Sequence, residues 1–354
     1  MTKIARLLLF LCTLSVFHIS IARPRVAVVL SGGGAKGTAH IGALKVIEEA
    51  GVPIDMIVGT SMGSIIGGLY AIGYTTEQLD SIFMAQDWNT LLSDKAYRNA
   101  LNLQTREQNS QYILSVPFFE KPQDLISGGV IKGRNIGRML WQLTEGYHDS
   151  IDFQKMPIPF ACISQDLVTG EEIVFRNGVL PIAIRASMSI PGVFAPVDLD
   201  GMVLVDGGMV NGKLLIDGGI INNYPVDVAR QMGADIVIGV DVQDPMKNAE
   251  ELQNNIFAQL NQLIDLQRKD RWEQNIALSD VYIKVDVKGY NTASFNTTAI
   301  DSLMERGAQA ARSQIDTLRA IGGRFSPDDS IVSRPTPPFF YMHRPGNIEA
   351  RYAG

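Results

Sequence analysis

Asp55-Met56-Ile57-Val58-Gly59-Thr60-Ser61-Met62-Gly63-Ser64-Ile65-Ile66 is the stretch on which the fold turns. A short apolar run ending at Gly59 has the length of a buried strand, and an apolar helical pattern resumes at Met62. Ser61 sits at the joint. Gly59 and Gly63 put no side chains beside it, which is what a serine needs to stand on a tight strand-to-helix turn with its hydroxyl outward. A helix starting just after it would aim unpaired N–H groups toward negative charge formed there. A Gly-x-Ser-x-Gly pattern also fits an ordinary loop between strand and helix, so the rest of the chain has to supply a base and an anion hole.

Upstream, residues 25–30 (Arg-Val-Ala-Val-Val-Leu) form a β-branched run ending in Ser31-Gly32-Gly33-Gly34-Ala35-Lys36-Gly37. Residues 38–50 then carry Ile41, Leu44 and Ile47 at helical spacing and close on Gly51. Two strands joined by such a helix are expected to lie parallel with a right-handed crossover. The glycine loop and Ser61 then share the carboxyl edge of the sheet, where open α/β sheets place their sites. Downstream, the patterns predict helices over 75–88, 133–147, 225–232, 250–272 and 298–321, and a short helix that ends in 185–194. They predict strands over 158–165, 172–175, 235–241 and 281–285. The helix over 250–272 is expected to lie against the sheet through Leu252, Ile256, Leu260, Leu263 and Ile264. Residues 87–133 read as an insertion, either a lid or binding wall or a plain surface excursion. The fold class is α/β, a mostly parallel sheet flanked by helices.

With 354 residues, 46% apolar and 19% charged, the chain can bury one large α/β core or two modest ones. A net charge of -6 gives no basic footprint, so nucleic acid is not an expected partner. Residues 1–22 read as an export signal: Lys3 and Arg6 precede a short apolar run, and Ser20-Ile21-Ala22 offers a small-x-small cleavage site. The alternative is an uncleaved anchor. The mature protein is expected to be exported, and periplasmic, outer-membrane-associated or secreted. Residues 23–323 would form the catalytic domain and 324–354 a proline-rich tail or linker. Cys162, the only cysteine beyond the signal, reads as a buried strand thiol.

Residues 201–211 and 212–222 are two copies of one unit, Gly-Met-Val-Leu-Val-Asp-Gly-Gly-Met-Val-Asn and Gly-Lys-Leu-Leu-Ile-Asp-Gly-Gly-Ile-Ile-Asn. Asp206 and Asp217 hold the same place in each. An aspartate ending a strand before two glycines is either a turn residue bonding its own backbone or a general base meeting Ser61. Histidine is the usual partner of a nucleophilic serine, and the four present fit poorly: His18 lies in the signal, His40 one turn into a helix, His148 at a helix end and His343 in the proline-rich tail. An aspartate acting directly on Ser61 is the economical arrangement. The loop 32–37 also fits Gly-x-Gly-x-x-Gly, but no acidic residue ends the second strand as a dinucleotide site requires.

Together the glycine loop, Gly59-Thr60-Ser61-Met62-Gly63, residues 185–194, and Asp217-Gly218-Gly219 with Asn223 and Pro225 resemble the four blocks of bacterial patatin-like phospholipases, in order and over about residues 25–321. The resemblance implies a patatin-like three-layer α/β/α fold with Ser61 on a nucleophile elbow between Gly59 and Gly63. It also implies a Ser-Asp dyad lipid acyl hydrolase with an acyl-enzyme on Ser61. Its oxyanion hole would come from the loop Gly32, Gly33, Gly34, Ala35, Lys36 and Gly37, with no metal, nucleotide or other cofactor. A lipid substrate and peripheral contact with a membrane surface follow as partners. The duplication departs from the family pattern. Asp217 is the preferred base, because the segment after it is short and stiff while an upstream hairpin can absorb the extra residues; Asp206 is the alternative. A non-catalytic lipid-binding or envelope-interaction module, impaired by the duplicated strand, is the competing reading.

Overall fold

The computed structural model describes residues 23–94, 129–195, 197–198, 204–205, 208–209, 213–253 and 256–325. Residues 1–22, read as an export signal, the middle of the 87–133 insertion, Asp206, His18, His343 and the proline-rich end lie outside the described residues.

β1 (Val26–Leu30) and β2 (Met56–Thr60) are buried at every position, as strands covered on both faces must be. They are followed by β3 (Gly129–Ile131), β4 (Ile151–Asp152), β5 (Phe160–Asp166), β6 (Glu172–Phe175) and β7 (Asn177–Gly178). Then come β8 (Gly192–Phe194), β9 (Val197–Asp198), β10 (Leu204–Val205), β11 (Gly208–Met209), β12 (Leu214–Asp217), β13 (Ile236–Asp241) and β14 (Val281–Lys284). The main sheet has eight strands in the order β14-β13-β1-β2-β5-β12-β9, with β6 also on β5. Neighbours from β14 through β5 are parallel, while β6, β12 and β9 run antiparallel to their partners. It is a mostly parallel sheet flanked by helices.

Alternation along β1 divides the core. Val26, Val28 and Leu30 face a large cluster with the helices Ala39–Glu49, Met62–Ala71 and Thr297–Arg312. Ala27 and Val29 face a smaller cluster with helix Val226–Gln231, Trp272 and Ile276. Helices Ala39–Glu49 and Thr297–Arg312 touch backbone to backbone, because Gly42 lies under the Met304 carbonyl and Gly307 under that of Ala39.

Three of the expected helices are broken. The one over 75–88 stops at Ala85 and restarts as Trp88–Leu91, since Asp87 caps the second piece by accepting from the Thr90 N–H. The one over 298–321 divides into Thr297–Arg312 and Ile315–Gly322. The one over 250–272 divides into Ala249–Leu252 and Ile256–Ala277, and its apolar stripe does not all lie against the sheet, because Leu263 is 62% exposed. That helix docks through a polar patch instead. Asn275 Nδ2 donates to the Tyr224 carbonyl at 2.8 Å, and Arg271 bonds Glu172 and Asp227 at 2.7 and 2.6 Å. A hydrophobic-period reading is blind to such an anchor. Among the described residues no helix is long and apolar enough to cross a membrane.

One pairing detail positions the site. β6 occupies one side of β5 from Cys162 to Gln165. The other side is shared by two strands running head-on: β2 pairs up to Thr60 opposite Ile163, and β12 pairs down to Asp217 opposite Ser164. Their ends meet at adjacent register positions.

Candidate active site

Ser61 follows β2 directly and is the N-cap of helix Met62–Ala71, with φ 54° and ψ −121°. It is the only non-glycine residue with positive φ among the described residues. A side chain held in that region costs about 1–3 kcal/mol and persists only where the surroundings enforce it. They do here. The Ser61 N–H donates to Ser187 Oγ at 3.0 Å, and its carbonyl accepts from the Ser64 and Ile65 N–H groups and from Ser64 Oγ. A Cβ on Gly59 would lie 2.3 Å from the Gly63 carbonyl oxygen, and one on Gly63 would lie 2.2 Å from that of Leu30. The two flanking glycines are thus needed for close packing of the elbow.

Asp217 ends β12 where β2 ends, beside Ser61. Its carboxyl accepts from the Gly219 N–H at 2.7 Å. Burial lifts its pKa to about 6, against the opposing pull of the Ser61 hydroxyl, the Gly219 N–H and the Arg268 charge. A carboxylate poised in that range can take a proton from a hydroxyl and return it. The first copy of the repeat takes another form. β10 and β11 pair as a separate hairpin, Leu204 with Met209 and Val205 with Gly208. Asp206 falls at the connection, outside the described residues.

The glycine loop is partly a 3₁₀ turn, Gly34–Thr38, which strand-loop-helix reasoning missed. Its six amides are not equivalent. Gly32 N–H donates to the Asn223 carbonyl and Ala35 N–H to that of Thr292, so both are occupied. Gly33 and Gly34 N–H groups have no acceptor among the described residues. Lys36 is buried with its ammonium 2.9 Å from Asp244, and Gly37 leaves room for the Met62 side chain. A Cβ on Gly32 would lie 3.0 Å from Ser61 Cβ, so the loop rests on Ser61.

Several supporting residues carry no sequence signal that reasoning from Ser61 alone would find. Arg185 donates to Ser189 Oγ at 2.6 Å and lies over the Phe194 ring; burial pulls its pKa down to about 10. The Ser189 carbonyl accepts the Asp217 N–H at 3.0 Å. Residues 185–194 thus brace both Ser61, through Ser187, and Asp217. Asn223 joins the two active loops: its Nδ2 donates to the Gly32 carbonyl at 3.1 Å while its own carbonyl accepts from the Gly32 N–H. Asn223→Ala is expected to lower kcat roughly ten- to a hundredfold with little change in KM, because the glycine loop beside Ser61 loses its side-chain tether. Steady-state kinetics on a soluble ester checks this, and an unchanged kcat would show that the tether is dispensable.

His40 is fully buried and its Nε2 lies 2.7 Å from the Ser31 carbonyl. Burial lowers its pKa to about 4, although the Ser31 hydrogen bond and Asp241 oppose the shift. It is a neutral donor steadying the loop's first residue. His148 packs at a tilt against Trp141, far from Ser61 and Asp217 in the chain. Cys162 is a buried strand thiol whose ionisation burial suppresses.

Beside Ser61 opens a cavity of about 270 Å3, lined by Gly34, Ser61, Thr292 and otherwise apolar side chains such as Met62, Ile65, Ile136 and Phe194. Both ends of the 87–133 insertion reach it, through Trp88, Leu92 and Ile131.

A strained serine at a strand-to-helix elbow, beside a buried aspartate on a mostly parallel sheet flanked by helices, defines an α/β protein of the hydrolase-elbow kind. Residues 28–230 match the family described as "Patatin-like phospholipase", and the chain belongs to that family. A patatin-like phospholipase domain-containing protein of Caenorhabditis elegans is 36% identical over 219 residues, 61% of this chain and 13% of its own length. Patatin-like phospholipase domain-containing protein 6 of Homo sapiens is 34% identical, again over 61% of this chain and 13% of its own. An uncharacterized NTE family protein of Mycobacterium tuberculosis is 31% identical over 188 residues, 53% of this chain and 44% of its own. The chain therefore spans less than half of these relatives, which come from animals as well as bacteria. Among solved structures, VipD from Legionella pneumophila aligns with a TM-score of 0.43 and 15% identity over 83% of this chain and 67% of that one.

Proposed function

We propose that this protein is an exported serine esterase acting on phospholipid or related lipid acyl esters through Ser61 and Asp217. The observation that carries the reading is the head-on meeting of β2 and β12 on β5, which brings Ser61 beside the buried carboxyl of Asp217. Asp217 takes the Ser61 proton as Oγ attacks the acyl carbon. The carbonyl π electrons move to oxygen, where the free Gly33 and Gly34 N–H groups receive the charge. As the tetrahedral species collapses, the ester C–O bond breaks, Asp217 protonates the departing alcohol, and the acyl group stays on Ser61. Water then repeats the sequence, releasing the fatty acid and restoring the serine.

Asp217 is preferred over Asp206 because the duplicate is taken up by the β10–β11 hairpin, apart from the main sheet. Export to the periplasm, the outer-membrane surface or the medium rests on the character of residues 1–22, and substrate would be met at a membrane surface. An alkyl fluorophosphonate should modify the wild type at Ser61 alone and leave Ser61→Ala untouched, as read by peptide mass mapping. A wild type that takes no label while a control serine hydrolase does would refute the assignment and favour a non-catalytic lipid-binding scaffold.

A further inference from the structure

We infer that Arg268, on a helix beyond the family match at residues 28–230, is a positioning residue for Asp217: it holds the turn behind that carboxyl and places a positive charge there. This rests on the reading of Asp217 as the base. Arg268, Arg271 and Asn275 fall at successive turns of helix Ile256–Ala277, so they share one face of it. All three grip the segment that follows Asp217. Asn275 donates to the Tyr224 carbonyl and accepts the Asp227 N–H at 3.0 Å, Arg271 bonds the Asp227 side chain, and Arg268 donates to the Gly219 carbonyl. Arg268 holds the end nearest the base.

Gly219 is bonded on both sides. Its N–H donates to Asp217 Oδ1 at 2.7 Å while its carbonyl accepts from Arg268, so one residue of the turn Gly218–Ile220 links the guanidinium to the carboxyl. Asp265, one turn before Arg268, pairs with its other terminal nitrogen and fixes the side chain, which is mostly buried. The charge matters because Asp217 is buried too. A carboxyl shut off from water resists ionisation, and a nearby cation offsets that resistance. Among the described residues, the groups that favour the ionised form of Asp217 are the Ser61 hydroxyl, the Gly219 N–H and Arg268. Only Arg268 of these carries a full positive charge. Arg185 is turned toward Ser189 and Phe194, and Arg271 is matched by Glu172 and Asp227.

The test compares wild type, Arg268→Gln and Arg268→Lys on a soluble ester from about pH 4 to about pH 9. In Arg268→Gln the acidic limb of kcat/KM should move up by about one pH unit, a loss of about tenfold near pH 5, while the plateau near pH 9 changes less than about threefold. Arg268→Lys keeps the charge and should restore most of the shift. A second readout needs no turnover: the Asp217 carboxyl is titrated by 13C NMR in aspartate-labelled protein, its resonance identified by its absence from Asp217→Asn. Its midpoint should rise by about one unit in Arg268→Gln and fall by about half a unit in Asp265→Asn, which frees the Arg268 charge from its counter-ion. Equal midpoints in folded wild type and Arg268→Gln, or a lowered plateau with the limb unmoved, overturn the inference. Should Arg268→Gln fail to fold, Asp265→Asn decides, and an unmoved midpoint there overturns it. Shifted carboxyl midpoints in a protein without Asp217-dependent hydrolysis would instead defeat the reading of Asp217 as the base and leave Arg268 as the residue that governs its charge.

Discussion

Asp217→Asn should lose hydrolysis by about four orders of magnitude while becoming more stable at pH 8. The loss follows from the role proposed for the carboxylate, for an amide cannot take the Ser61 proton. The gain follows from burial. Ionising Asp217 in the fold requires pH above about 6, where an ordinary aspartate has a pKa of 3.8. A folded-state pKa raised in this way means the folded protein binds the proton more tightly than the unfolded chain. Stability is then full below the unfolded value and declines as pH rises through the folded one. The gap of about two pH units corresponds to roughly 3 kcal/mol at pH 8 and to nothing at pH 3. Asparagine escapes that cost, because its Oδ1 can still accept the Gly219 N–H and its Nδ2 can donate to Ser61. Urea unfolding of both proteins at pH 8 and near pH 3 measures it; the same stability difference at both would contradict the account. The wild-type kcat/KM should also fall with unit slope below pH about 6, as the base becomes protonated.

Gly307→Ala should destabilise the protein by roughly 4 kcal/mol, among the largest effects a methyl group can have. A Cβ there would sit 1.9 Å from the Ala39 carbonyl oxygen, and one at the reciprocal position, Gly42, would sit 1.8 Å from that of Met304. Both obstacles are helical backbone, which cannot rotate out of the way. The helices Ala39–Glu49 and Thr297–Arg312 would have to move apart along their closest line of approach, opening the core on that face of the sheet. With total stabilities of about 5–15 kcal/mol, such a loss should show as poor accumulation as well as a lower unfolding midpoint. Gly137→Ala is the control. It lies in helix Arg134–Leu143 with nothing within 4 Å of a new Cβ, so it should be neutral or gain up to about 1 kcal/mol. Equal effects at the two glycines would mean that the crossing is looser than its geometry.

The elbow was legible because its requirements are local. Two glycines, a serine and a change from strand-like to helix-like spacing all fall within the residues around Ser61, and so does the choice of strands and helices as far as Gly73. The aspartate was legible as one of two copies, with Asp217 preferred only for the short, stiff segment that follows it. Asp206 and Asp217 stand in the same eleven-residue unit, and nothing in that unit states which copy joins the sheet. Pairing with β5 decides it, and pairing is a long-range property. The braces showed in the sequence as blocks of the family pattern, but their contacts were hidden for the same reason: Ser187 reaches Ser61 across 126 positions and Asn223 reaches Gly32 across 191. Leu263 misled because helical periodicity registers apolar stripes and not the polar anchor at Asn275.

The meeting of β2 and β12 on β5 has a further consequence for how the site can vary. A sheet ladder advances one residue at a time, and each step turns a side chain to the opposite face. The separation of Ser61 from Asp217 is therefore counted rather than measured. A one-residue slip of β12 would present Ile216 or Gly218 at Ser164 and turn the carboxylate away, with no intermediate setting. Length added before Leu214, by contrast, leaves the count untouched. A whole extra Asp-Gly-Gly unit can reside there as a hairpin, and the spacing of the reacting groups does not register it.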